Sequence, residues 1–247
     1  MKEDEVAKYW AKESAVLDRI KKSGAQKYFD SLPDIARAFV PQDHNLRCID
    51  EGTPGGIHLA GSGILLSIDE AAALAREAGV RGIHSHEECG AAKIYAENEK
   101  LDPAYADEYA AEWAKALAER LAVPYCGHLK INQMNRPSGL HTAVAVYYDG
   151  TGTFDYSPLP DLPKGFTISR RYLPVDYAKK ELRITLEIAF GNHGFGRLFT
   201  AGEPLFVIVL AGQGEALSPD QLLAEARGVA VPYGERVSVD LVLTNQA

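Results

Sequence analysis

Two histidines and a cysteine lie close together in one short stretch of the chain, "GIHSHEECGAAK" (82–93). His86 and Cys89 are three residues apart, where a predicted strand passes into a helix. A second cysteine, Cys48, ends another predicted strand, "NLRCID" (45–50). Two thiolates and one imidazole suit Zn²⁺, and three protein ligands leave the fourth tetrahedral position open to water or substrate. The alternative interpretation is that both cysteines are small buried hydrophobic side chains.

Other residues of the same stretches have simpler interpretations. His84 shares a strand face with His86 and is predicted to be a core or surface histidine rather than a ligand. Cys126 in "YCGHLKI" is predicted to be a buried strand residue. Glu87 and Glu88 favour a helix N-terminus through its dipole. A thiol hydrolase with Cys89 as nucleophile is a further alternative, but two cysteines with a histidine suit a metal better.

Alternating strands and helices must position these residues. Helices are predicted over 5–22, 24–39, 67–79, 88–98 and 103–122, and strands over 45–50, 80–86, 123–131 and 140–150. This order predicts an α/β fold with a mostly parallel central sheet flanked by helices. Residues that follow neighbouring parallel strands meet at one sheet edge, the usual location of ligands.

The C-terminal third has a different character after the Pro- and Gly-rich stretch "DGTGTFDYSPLPDLPKG". Apolar runs over 182–190, 204–211 and 236–244 predict strands, and "SPDQLLAEARG" predicts a helix between the last two. We therefore predict an additional α+β region over 156–247, which follows a metal-binding core with N-terminal helices over 1–155. No internal repeat is evident from the sequence.

Composition excludes several classes of protein. The 247 residues are 46% hydrophobic and 24% charged, with a net charge of −8, so a basic nucleic-acid-binding surface is not indicated and an anionic membrane is not an expected partner. No apolar run is long enough for a membrane span, and the charged start is not a secretory signal. Three cysteines do not indicate a disulfide framework, so we expect a reducing cytoplasm.

The order of these motifs resembles the beta-class carbonic anhydrases. The pattern of that family is Cys-x-Asp-x-Arg, then Arg-Asn-Ala-Gly, then Gly-His-x-x-Cys-Gly. The positions that match it are Cys48, Asp50, Ala60, Gly61, His86, Cys89 and Gly90. The resemblance covers residues 45–155. Two departures stand out: Gly52 occupies the position of the first motif's arginine, and the span from Cys48 to Gly61 is shorter than in the family.

The resemblance implies a function. Zn²⁺ would be bound by Cys48, His86 and Cys89, and zinc-bound hydroxide would convert carbon dioxide reversibly to bicarbonate, which is the reaction of a zinc lyase. Asp50 would be the catalytic residue that orients the zinc-bound water. The family also implies a homodimer or a larger oligomer.

The missing arginine affects the expected state of Asp50. In the family, an arginine pairs with this carboxylate and holds it away from the metal. With Gly52 in its place, Asp50 is expected to become a fourth zinc ligand in a closed site, unless another cation pairs with it. The candidate cations are Arg47, Arg81, Lys93 and Arg136.

Two further functions stay open on these residues. The altered site is compatible with a non-catalytic zinc protein, in which the zinc has a structural or sensory role. It is also compatible with hydrolysis of a related small substrate, carbonyl sulfide or carbon disulfide. Metal content and a carbon dioxide hydration assay separate these possibilities.

Overall fold

The computed structural model describes residues 3–40, 43–212 and 217–244. The helices are α1 (Glu3–Ser23), α2 (Ala25–Ser31), α3 (Ile68–Glu77), α4 (Gly90–Asn98), α5 (Ala106–Leu121), α6 (Val175–Ala189) and α7 (Pro219–Ala230). The strands are β1 (Asn45–Arg47), β2 (Ile57–His58), β3 (Gly82–His86), β4 (Tyr125–Leu129), β5 (Ala145–Asp149), β6 (Gly165–Ile168), β7 (Leu205–Gly212) and β8 (Val237–Thr244).

The chain forms two compact units. Gln42–Ser138 make up one, here called the middle unit, and Met1–Pro41 with Gly139–Ala247 make up the other, here called the terminal unit. Each unit contains one four-stranded parallel sheet flanked by helices, so the predicted α/β fold with mostly parallel strands is confirmed. The predicted boundary between residues 155 and 156 lies inside the terminal unit, between β5 and β6.

The sheet of the middle unit has the strand order β2-β1-β3-β4. Leu46 of β1 lies opposite Ile57 of β2 on one side and Ile83 of β3 on the other, and all three side chains are buried. Buried apolar residues on neighbouring strands fix the register, because a shift by one residue would turn each side chain to the opposite face. The carboxyl ends of β1 and β3 therefore lie side by side.

Local sequence signals explain where the helices of this unit begin and end. Ser67 Oγ accepts a hydrogen bond from the Glu70 N–H at 3.3 Å, and Glu70 Oε2 accepts one from the Ser67 N–H at 3.0 Å. Together these two bonds form a capping box at the start of α3. Gly79, with φ of 71°, follows the helix and reverses the chain toward β3.

The sheet of the terminal unit repeats the topology of the first. Its order is β6-β5-β7-β8, so in each sheet the first strand lies between the second and the third, and the fourth lies beyond the third. The residues after 156, expected to form an α+β region, contribute three of these four parallel strands. The repeat was not evident from the sequence, since it lies in the topology.

Three sequence-based expectations differ from the structure. The segment 182–190, predicted as a strand, belongs to α6, and its buried residues Leu182, Leu186 and Ala189 lie on one helical face. The helix predicted over 24–39 ends at Ser31, because Pro33 does not allow it to continue, and a short 3-10 turn follows. Neither β2 nor β6 was predicted. Among the described residues, no helix is both long and apolar enough to cross a membrane.

Candidate metal centre

Three potential ligands meet at the carboxyl edge of the middle unit's sheet. Cys48 follows β1, His86 ends β3, and Cys89 directly precedes α4. All three side chains are buried, and one donor atom from each lies within 4.8 Å of the others. The residues that the sequence singles out thus form a buried group that could hold one metal ion.

The imidazole of His86 is oriented for metal binding. Its Nδ1 lies 2.8 Å from the carbonyl oxygen of Glu87, and this contact requires Nδ1 to carry the proton because a carbonyl only accepts. In a neutral ring Nε2 then carries the lone pair. Nε2 is buried and has no hydrogen-bond partner among the described residues. An unsatisfied buried nitrogen is costly, and a cation bound to it would remove that cost.

The surroundings of Cys48 hold its sulfur toward the centre. The Gly61 N–H donates to Cys48 Sγ at 3.1 Å, and the Cys48 carbonyl accepts from Thr53 Oγ1 at 2.8 Å. Gly61 has φ of 54°, and a Cβ atom there would lie 2.6 Å from Ile64 Cγ2. The glycine that matches the family pattern is therefore required for a backbone that approaches the sulfur closely.

Burial alone opposes charge on these sulfurs. It raises the pKa of the Cys48 thiol well above its usual value, and the neighbouring Cys89 acts in the same direction. A cation in the centre would reverse this balance, since thiolates are the form that binds metals. Cys89 also lies at the N-terminus of α4, where the helix dipole favours negative charge.

Asp50 follows Cys48 by two residues and lies near enough to His86 for its charge to raise the pKa of that imidazole, and it is paired with Arg136. Arg136 Nε donates to Asp50 Oδ1 at 2.9 Å and to Oδ2 at 3.1 Å, and both side chains are almost fully buried. The Gly52 N–H also donates to Asp50 Oδ1, at 2.7 Å. Burial lowers the pKa of Arg136, but the charges of Asp50 and Glu51 raise it more, so the guanidinium stays charged.

Arg136 is therefore the cation that pairs with Asp50. The sequence left four candidates for this role. Arg47, another candidate, pairs instead with Asp43 at 2.8 Å. Among the described residues, the metal-capable group that contains Cys48, His86 and Cys89 does not include Asp50. The sequence predicts Asp50 as a fourth zinc ligand unless another cation pairs with it. Arg136 is such a cation, and the role of Asp50 toward a metal stays a prediction.

Gly52, at the position of the missing arginine, has little space around it. A Cβ atom there would lie 2.5 Å from Met134 Cε and 3.0 Å from Asp50 Oδ1. The Asn135 N–H donates to the Gly52 carbonyl at 3.2 Å. The segment that carries Arg136 thus packs on the loop that carries Asp50, and it fills the space that a side chain at position 52 would need.

The two glutamates between His86 and Cys89 hold this same segment. Glu87 accepts from Lys130 Nζ at 2.9 Å and from the Ile131 N–H at 2.7 Å. Glu88 accepts from Arg136 Nη1 at 3.1 Å and also from Ser138 Oγ. They were interpreted as residues that favour the dipole of the following helix. No sequence signal showed that they bind residues about 40 to 50 positions away.

The remaining residues singled out by sequence lie outside the metal-binding group. His84 is half-buried on β3, and burial lowers its pKa. Cys126 lies on β4 as predicted, but it is exposed and not buried. Its sulfur is therefore not a core side chain.

Comparisons with known proteins give no match to this chain. No protein-family model, no curated protein and no solved structure matches it. The likeness to the beta-class carbonic anhydrases therefore depends on the motif residues alone.

Proposed function

We propose that the middle unit binds one zinc ion through Cys48, His86 and Cys89, and that the protein reversibly hydrates carbon dioxide there. Two sulfurs and one imidazole nitrogen are ligands that zinc accepts in tetrahedral sites. The observation that carries the proposal is the buried Asp50–Arg136 pair next to the three ligands. A carboxylate fixed beside an open metal position could accept a hydrogen bond from metal-bound water and orient it.

Zinc bound here would act as a Lewis acid and generate a nucleophile from water at neutral pH. Asp50 would accept a hydrogen bond from the attacking water. This bond would turn a lone pair of the water oxygen toward carbon dioxide. Arg136 would keep Asp50 ionised, and therefore an acceptor only, since a guanidinium does not lose its proton. Its Nε–H would also hold the carboxylate at a fixed angle.

The number of ligands supports a catalytic over a structural zinc. Structural zinc sites are closed by four protein ligands, whereas catalytic sites use three and leave one position open. The group formed by the described residues has three members. The Asp50–Arg136 pair accounts for the carboxylate that would otherwise be the nearest candidate for a fourth ligand.

Zinc content and hydration rate test the proposal together. We expect about one zinc per chain after native purification, and carbon dioxide hydration that Asp50→Asn lowers by about 100-fold. One zinc without hydration above the buffer rate would support the non-catalytic alternative, and a chain without zinc would reject both. Carbonyl sulfide and carbon disulfide are assayed on the same preparation, and its mass in solution tests the implied homodimer or larger oligomer.

A further inference from the structure

Glu88, immediately before the ligand Cys89, has an unusual backbone. Its φ is 57°, in the left-handed region that non-glycine residues seldom adopt. Two contacts hold it there: its N–H donates to Asp107 Oδ1 at 2.7 Å, and its carbonyl accepts from Arg136 Nη2 at 3.2 Å. Glycine would form this turn without strain, so the contacts of the Glu88 side chain are where a further role is to be sought.

The side chain of Glu88 faces the same guanidinium. Oε2 accepts from Arg136 Nη1 at 3.1 Å, while Oε1 accepts from Ser138 Oγ. Arg136 Nη1 also donates to the Pro137 carbonyl at 3.2 Å. Both terminal nitrogens of Arg136 are thus occupied by Glu88 and its own segment, and Nε remains to donate to Asp50.

A guanidinium is planar and rigid, so fixing its two Nη atoms also fixes the direction of its Nε–H. We propose that Glu88 is a positioning residue, which orients Arg136 so that its Nε–H meets Asp50. Glu88 therefore connects two parts of the site: the turn before Cys89, and the segment whose Arg136 binds Asp50. The inference rests on the proposed function for its kinetic consequence, but the orientation of Arg136 can be measured without activity.

The alternative is that Glu88 only closes the turn before Cys89. Replacement by glycine separates the two roles, because it favours positive φ and removes every side-chain contact. Under a turn-only role, Glu88→Gly leaves Arg136 and the reaction unchanged. Under a positioning role it loosens Arg136. Glu88→Gln keeps one oxygen that can accept from Arg136, while its NH2 group can donate to Ser138 Oγ, so it has a smaller effect.

The rate of solvent exchange of the Arg136 Nε–H reports how firmly this group is held against Asp50. It is measured by NMR on the zinc-loaded full chain. The resonance of the group is assigned from its loss in Arg136→Lys. In Glu88→Gly we expect exchange to be faster by about tenfold or more, and kcat for hydration to fall by about 10- to 100-fold with zinc content retained. Glu88→Gln should give intermediate values. Glu97→Gln, an exposed glutamate on α4, is the matched control and should change neither.

Unchanged exchange in Glu88→Gly would overturn the inference, whether or not zinc is lost. If that variant does not fold, Glu88→Ala takes its place, since alanine also removes both side-chain acceptors and Ala122 adopts the same positive φ of 57° in this chain, and unchanged exchange in that variant has the same meaning. A native protein that does not hydrate carbon dioxide would reject the proposed function alone. Faster exchange in the Glu88 variants would then still support the positioning of Arg136.

Discussion

Arg136 binds Asp50 across 86 positions of sequence, with Nε at 2.9 and 3.1 Å from the two carboxylate oxygens. The pair is buried beside a group of two cysteines and a histidine. The cation that pairs with Asp50 thus comes from the segment after β4 and not from position 52, where this chain has a glycine.

The first prediction concerns the cation itself. Arg136→Lys should keep zinc but lower hydration by about 100-fold, because an ammonium does not reproduce the planar contacts to Asp50 and Glu88. Arg136→Ala should also lower the free energy of unfolding by about 3 kcal/mol, because it leaves Asp50 buried without its cation. Stopped-flow hydration and urea unfolding measure the two effects.

Arg81, an exposed arginine in the same unit, provides the matched control for these variants. Arg81→Lys and Arg81→Ala should leave rate and stability unchanged within about 0.5 kcal/mol. Full hydration activity in Arg136→Lys would show that charge alone suffices at this position.

The second prediction concerns the position of the missing motif arginine. Gly52→Arg should not raise activity, because Asp50 already has a guanidinium partner and a Cβ at position 52 meets Met134. We expect it to lower the free energy of unfolding by about 1–3 kcal/mol through overpacking. Gly52→Ala, which adds only the Cβ atom, should show most of that loss. A Gly52→Arg variant with native stability and faster hydration would contradict this account.

The sequence predicted the parts of the site that follow from local rules. Cys48 and His86 end strands, and the rule that parallel strands present their carboxyl ends at one edge brought them together. The partner of Asp50 could not be predicted, because the sequence alone does not distinguish between the four candidate cations. Tertiary contacts select Arg136: Met134 and Asn135 pack on the Gly52 loop, and Glu88 binds the guanidinium.

The errors in the fold have a similar origin. The run "LRITLEIAF" was predicted as a strand because it is apolar, yet Leu182, Leu186 and Ala189 match a buried helical face equally well. Cys126 was expected inside because cysteine is often buried, but β4 is one of the two edge strands of its sheet. An edge strand has fewer neighbours to cover its side chains.

The third prediction concerns the ligands. Changing Cys48, His86 or Cys89 to Ala should weaken zinc binding by at least about 100-fold and lower thermal stability, because metal binding and folding are linked. Cys126→Ala is the matched control, since its thiol is exposed and outside the group. Zinc per chain by elemental analysis and the melting temperature are the measurements. Equal loss of zinc in the Cys126 variant would mean that the wrong pair of cysteines is assigned.

A second buried ion pair stabilises the terminal unit. Arg170 Nε donates to Glu225 Oε2 at 2.7 Å and Arg170 Nη2 to Oε1 at 3.1 Å, while the Tyr148 hydroxyl donates to Oε2 at 2.8 Å. Burial raises the pKa of Glu225, but the hydrogen bonds from Arg170 and Tyr148 outweigh it, and the net pKa is lowered. Folding therefore favours the ionised form of this carboxyl group.

The fourth prediction is the pH dependence that follows from Glu225. A carboxyl group with a lowered pKa stabilises the fold above its unfolded value, about 4.3, and loses that contribution as the pH falls through its folded value. Glu225→Gln should therefore lower the free energy of unfolding by about 3 kcal/mol at pH 7, because Arg170 is left buried without a counter-charge. The difference from the native chain should shrink below pH 4. Urea unfolding at pH 7 and pH 3.5 measures it, with exposed Glu235→Gln as control. A difference independent of pH would show that the charge of Glu225 does not contribute to stability.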